Sequence, residues 1–195
     1  MTVRLLRYIS HANVTIDPAV PVPRWHLSAA GRERVHVMLC QPWVTTIGRV
    51  VSSAETKAIE TAQILADHVG LDVDIRDATG EIDRSSTGFV PHTRHEELAD
   101  LLFAHPHDSA AGWERAIDAQ ARIVDALNDL VADATGPETV IIGHGAVGTL
   151  LQCHVMSQPI DRRHDQPGQG HYFTIDVIAR RVLHPWRAID DLEHG

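Results

Sequence analysis

Thr139-Val140-Ile141-Ile142-Gly143-His144-Gly145 decides the fold of this chain: an apolar run of strand length, a tight turn carrying a histidine, then helix-forming residues from Ala146 to Met156. An uninterrupted apolar run suits a strand covered on both faces. Two other stretches follow the same plan. Val3 to Ile9 is strand-compatible and ends at Ser10-His11-Ala12-Asn13, after which Asp17-Pro18 and Pro21-Val22-Pro23 exclude regular structure. Arg49 to Ser53 runs directly into a helix from about Glu55 to His68, with Ala58, Ala62, Leu65, Ala66 and Val69 on one face and Gly70 as its C′ residue.

The remaining elements fall between these three. Ser28 N-caps a first helix that reaches about Leu39. Leu71 to Ile75 suits an edge strand, and Gly80 to Pro91 has the Gly, Ser, Thr and Pro content of a loop. Between Gly112 and Ala132 apolar residues follow helical spacing until Thr135-Gly136-Pro137 stops the helix, and Trp113 is expected in the core. Gly170 to Val177 and Arg181 to Trp186 form a final strand pair. No repeat or linker interrupts the alternation, so residues 1–195 read as a single domain with a variable insertion at about 76–111. The expected fold is a three-layer α/β/α sandwich around a mainly parallel sheet.

Composition narrows the partners. Asp plus Glu exceeds Lys plus Arg by 26 − 17 = 9, so the averaged field repels nucleic acid and anionic lipid. No apolar run reaches membrane-spanning length, and the N-terminal stretch is too short for a signal peptide. Cys40 and Cys153 lie in apolar surroundings and are expected as buried thiols in a reducing compartment, which makes the cytoplasm the default location. Oligomeric state is left open.

Three strand tips carry polar residues: Ser10-His11, Ser52-Ser53 followed by Lys57, and Gly143-His144-Gly145. Ligands of open α/β sheets bind beyond those strand ends. Two of the tips lead at once into helices, whose free N–H groups and dipoles join Lys57 in attracting an anion. Taken alone, a histidine after a strand is ordinarily a structural residue and a helix lysine a solvated one. Their placement on successive tips turns them into an anion site with two histidines.

These segments resemble the histidine phosphatase superfamily, the group that includes phosphoglycerate mutases and many small acid phosphatases. Its Arg-His-Gly tripeptide is echoed by Ser10-His11-Ala12, and its Trp-x-Leu-Ser/Thr-x-x-Gly segment by Trp25-His26-Leu27-Ser28-Ala29-Ala30-Gly31. Its Ser-Ser helix motif matches Ser52 to Ala62, and its second histidine motif matches Val140 to Gly145. The resemblance implies a phosphoglycerate mutase-like fold in which His11 attacks a phosphoryl group to give phosphohistidine, without cofactor or metal. It further implies that His144 holds phosphate oxygens and that Glu81 protonates the leaving group, with Asp83 as the nearby substitute. Ser10, Lys57, Arg24 and Gly145 would complete the phosphate site.

The chain departs from that pattern where charge matters. Ser10 and Lys57 stand at the two pocket arginines and Ala12 at the glycine. Lysine offers one compact charge in place of a planar fork, and serine offers none. Each lost charge-assisted hydrogen bond costs about 1.5 to 3 kcal/mol. Arg24, after a rigid Pro21-Val22-Pro23 approach, is the expected compensation. Arg7 is the poorer choice, about 13 Å along the strand from His11, and Arg84 would contact a substrate carboxylate or second phosphate.

Two readings follow: a hydrolase of small phosphomonoesters, favoured over a mutase by the reduced cationic grip, or a degenerate module that binds a phosphorylated or other anionic ligand. A metal site on His92, His95, His105 and His107 is the third, weakened by spacing that matches no closed zinc pattern.

Overall fold

The computed structural model describes residues 4–132 and 138–193, so the helix stop expected at Thr135-Gly136-Pro137 lies outside the described residues. Four parallel strands form the body of the sheet: β1 (Leu5–Ser10), β2 (Ile47–Ser52), β3 (Val73–Ile75) and β4 (Glu138–Gly143). β5 (His171–Asp176) runs antiparallel to β1, and the short β6 (Arg181–Val182) and β7 (Arg187–Ala188) pair with β5. The order is β3-β2-β4-β1-β5-β6, with β7 also on β5, so the mainly parallel sheet and the edge position of β3 are as expected.

Five helices cover it among the described residues: α1 (Ala29–Met38), α2 (Thr56–Val69), α3 (His92–Ala104), α4 (Ala116–Ala132) and α5 (Gly145–Val155). Alternation along the strands splits the core in two. Leu6, Tyr8, Ile141, Phe173 and Ile175 face Ile123, Leu127, Val147 and Leu151 of α4 and α5. Ile9, Val140, Ile142 and Tyr172 face Val35, Met38, Ala62 and Leu65 of α1 and α2. The result is helices on both faces of one sheet, the three-layer α/β/α sandwich. No helix among the described residues is long and apolar enough to cross a membrane.

Ser28 caps α1, its Oγ accepting from Gly31 N at 3.0 Å, and Gly70 closes α2 at φ 71°. Other expectations need correction. The stretch expected as an insertion holds a helix that the sequence reading does not mark: α3 begins after Pro91 and buries Leu98, Ala99, Leu102 and Phe103. α4 starts at Ala116, later than Gly112, because Gly112 adopts φ 83° and Trp113 is a buried loop residue. The final pair shrinks, its second partner breaking into β6 and β7 around His184-Pro185. Cys40 is exposed at the end of α1, whereas Cys153 is buried, and both are free.

Candidate active site

His11 lies one residue beyond β1. Its N–H donates to Gly143 O at 2.9 Å and its carbonyl accepts from Gly170 N at 2.9 Å, so strands on either side fix its backbone. The ring is buried, with Nδ1 2.9 Å from Ala12 O. A carbonyl can only accept, so Nδ1 carries the proton and Nε2 keeps its lone pair. Burial, then the neighbouring His144 and Lys57, hold its pKa well below the usual imidazole range.

His144 occupies the N-cap of α5 and is fully buried. Its Nε2 is 2.7 Å from Ser53 Oγ and 3.5 Å from Glu55 Oε1, while Nδ1 is buried with no partner among the described residues. The two imidazoles meet edge to face, centroids 5.2 Å apart. Burial and the positive charges of Lys57, Arg84 and Arg122 keep this ring neutral as well, its pKa well below the ordinary value.

Lys57, on the first turn of α2, is buried too. Its Nζ donates to Val22 O at 3.1 Å and to the carboxylate of Glu55. Glu55 therefore sits inside the site, between Lys57, His144 and the backbone N–H of Glu81, which its Oε1 accepts at 3.3 Å. Glu81 in turn accepts from Ile82 N at 3.0 Å and Val147 N at 3.2 Å. Burial raises its pKa, and the Arg84 charge opposes that rise only in part.

A cavity of about 670 Å³ is lined by His11, Lys57, Glu81, Arg84, Gly145 and Gln166, whereas His144 and Glu55 do not line it. Val22, Trp25, Ile82, Phe89, Leu102 and Trp113 give the same cavity an apolar wall. Trp25 and Phe89 pack with centroids 5.7 Å apart, and Phe89 and Ile16 leave exposed apolar surface at the rim.

The structure brings His11, Lys57, Glu81, His144 and Gly145 together and sets the other expected residues apart. Arg24 ends an exposed 3-10 turn, Val22–Arg24, and does not line the cavity. Ser10 does not line it either: its Oγ donates to Gln166 Oε1 at 2.5 Å and accepts from His171 N at 3.1 Å. Asp83 is exposed and accepts from Ser85 N, whereas Glu81 lines the cavity, as do Glu96 and Asp165. Arg7 is occupied elsewhere, bonded to Glu138 and stacked 4.8 Å over Trp43.

Arg84 does line the cavity. Its Nη1 is 2.6 Å from His95 Nε2, its guanidinium lies 5.5 Å from the Trp113 centroid, and it has no carboxylate partner among the described residues. His92, His105 and His107 are exposed, and no group of three or more His, Cys, Asp or Glu is gathered for a metal among the described residues.

Residues that sequence reasoning missed are Tyr8, Glu55, Gln166 and Arg162. Arg162 lines the cavity but is bonded to Glu96 and Asp100. Glu55 lies within the Ser52 to Ala62 match, two residues before Lys57, and that spacing was the available signal. Tyr8 reads as an ordinary strand residue, and Gln166, in a loop before Pro167-Gly168, has no motif.

The sequence pattern of the Histidine phosphatase superfamily (branch 1) matches residues 24–181, and the chain belongs to that family. The match begins after His11, where the chain carries Ser-His-Ala. No curated protein sequence matches it. Solved structures agree with the fold. A mycobacterial glucosyl-3-phosphoglycerate phosphatase in complex with inorganic phosphate is 18% identical over 96% of this chain and 99% of that one, with a TM-score of 0.79. A putative alpha-ribazole-5'-P phosphatase from Escherichia coli is 16% identical over 95% and 98%, TM-score 0.77. YhfR of Bacillus stearothermophilus is 20% identical over 98% of both chains, TM-score 0.75. At such identities the likeness is one of fold.

Proposed function

We propose that this protein is a hydrolase of small phosphomonoesters working through a phosphohistidine on His11. The observation that carries the reading is the state of His11: a neutral ring, Nδ1 tied to Ala12 O, and Nε2 left as the nucleophilic nitrogen in a cavity shared with Glu81, a carboxyl whose pKa is raised. In the first step Nε2 bonds to phosphorus as the ester P–O bond breaks, and the protonated Glu81 gives its proton to the departing oxygen. In the second, water attacks phosphorus, the N–P bond breaks, and the Glu81 carboxylate takes the water proton. Lys57 and the N–H groups of Gly145 and Ala146 at the start of α5 line the cavity and are the groups available to the phosphoryl oxygens, with the His144 ring buried directly before them.

The apolar wall gives the leaving group its chemistry. An alcohol with an aromatic or aliphatic body would cover Trp25, Phe89 and Val22, whereas a polyanionic one would desolvate its charges against them. Arg84 remains available for a single further anionic or polar group on that alcohol. An exposed free thiol at Cys40 suits a reducing cytoplasm.

One observation favours the binding-module alternative: the Lys57 charge is already matched by Glu55. Hydrolysis of an aryl phosphate without added metal, wild type against His11→Ala, separates the two. Turnover lost in His11→Ala, with an acid-labile phosphoryl label trapped on the wild type, supports the hydrolase. Phosphate binding without turnover in the wild type supports the module.

A further inference from the structure

Gln166 joins the two strand tips that carry the histidines. Its Oε1 accepts from Ser10 Oγ at the end of β1, one residue before His11. Its Nε2 lies over Gly145, one residue after His144: a Cβ on Gly145 would come within 2.2 Å of that nitrogen, so only glycine leaves room for the amide. Ser10 is fixed in turn, since its Oγ also accepts from His171 N at 3.1 Å on β5. Because an amide is planar, holding its oxygen fixes the direction of its NH2. Nε2 donates to no acceptor among the described residues, and Gln166 lines the cavity beside His11, Lys57 and Gly145.

We propose that Gln166 is a phosphate ligand of this site, donating from Nε2 to a phosphoryl oxygen and oriented for that task by Ser10. The proposal rests on the phosphate site assigned above and says how that site works with no arginine at position 10. Where the sole lysine is already paired with Glu55, a neutral donor adds a hydrogen bond to the anion without burying another charge. It also accounts for serine at position 10. A long cationic side chain there would run into the Gln166 amide, so residues 10 and 166 have to be considered as a pair.

Titration calorimetry with inorganic phosphate, together with kcat and KM for an aryl phosphate, tests this on wild type, Gln166→Ala, Gln166→Met, Gln166→Glu and Ser10→Ala. Gln166→Ala and the similarly sized Gln166→Met should weaken phosphate binding about tenfold or more, the loss of one hydrogen bond to a charged group. Gln166→Glu, which sets a carboxylate against the anion, should abolish binding. Ser10→Ala should weaken binding by a smaller factor although Ser10 never touches the ligand, with KM rising more than kcat falls. Phosphate affinity within twofold of wild type in Gln166→Ala and Gln166→Met overturns the proposal, as does a wild type that takes up no phosphate. Binding that depends on Gln166 without any hydrolysis overturns the hydrolase reading and leaves this proposal standing. His11-dependent hydrolysis indifferent to Gln166 does the reverse.

Discussion

Tyr8 and His144 exchange two hydrogen bonds: the His144 N–H donates to the Tyr8 hydroxyl at 2.9 Å, and that hydroxyl donates to the His144 carbonyl at 3.0 Å. The phenol thus acts as a rivet through the residue that N-caps α5. Gly143 leaves space for it, since a Cβ there would meet the Tyr8 oxygen at 2.3 Å. Tyr8→Phe should strand the buried N–H of His144, whose carbonyl keeps its bond from Gly148 N at 3.0 Å, and lower stability by about 1 to 3 kcal/mol in a urea melt. Because the His144 backbone is then unanchored, kcat should fall by more than KM changes.

Activity should depend on pH with two limbs. On the proposed mechanism His11 attacks only when neutral, and burial keeps it neutral well below the ordinary imidazole range, so the acid limb lies low. As the proposed acid, Glu81 donates only when protonated, and its pKa is raised by burial, so rate should fall as pH climbs past that raised value. Glu81→Gln should lower kcat and remove the alkaline limb; an unchanged limb in the pH profile would exclude Glu81 as the acid.

Stability should show the opposite sign on acidification. His11 and His144 are neutral in the fold and have pKa values below those of the unfolded chain, so the unfolded state binds more protons once pH drops under about 6.5. Their contribution is complete above that pH and is lost as pH falls toward the folded values, at up to about 1.4 kcal/mol per pH unit for each ring. Thermal melts across this range should show the decline, and His144→Asn should make it shallower.

The Glu55–Lys57 pair predicts an asymmetry. Lys57→Ala alone leaves a largely buried carboxylate without its partner and should cost about 3 kcal/mol, whereas Lys57→Ala combined with Glu55→Ala should recover much of that loss. Glu55→Gln should tighten phosphate binding by freeing the ammonium. A double-mutant cycle with denaturant melts and calorimetry checks both.

The apolar wall predicts substrate preference. Trp25→Ala and Phe89→Ala should raise KM for an aryl phosphate about tenfold while changing kcat little, because both rings line the cavity as apolar surface and supply no group to the reaction. A sugar phosphate should be nearly indifferent to the same substitutions.

The architecture was legible because it rests on short-range patterns: the apolar run at Val140 to Ile142, the Ser28 cap and the Gly70 stop all correspond to observed elements. α3 escaped notice although Leu98, Ala99, Leu102 and Phe103 have helical spacing, because the Gly- and Pro-bearing stretch before it reads as an extended loop. The site divides the same way. His11, Lys57 and His144 sit at strand-to-helix junctions, where local sequence sets position. The Gln166–Ser10 bond spans 156 positions and the Tyr8–His144 pair 136, and no local pattern encodes either. Arg24 was expected in the pocket on the strength of a rigid approach, but the 3-10 turn from Val22 points it to solvent.

The pairing of Lys57 with Glu55 reaches beyond binding strength. A hydrolase must let go of inorganic phosphate after every cycle, and a pocket crowded with unopposed cations holds that product tightly. Here the lysine's charge is answered in advance and both imidazoles are neutral, so the phosphate dianion finds little to detain it. Fast product departure and resistance to inhibition by ambient phosphate would follow, at the expense of weaker capture of scarce substrate.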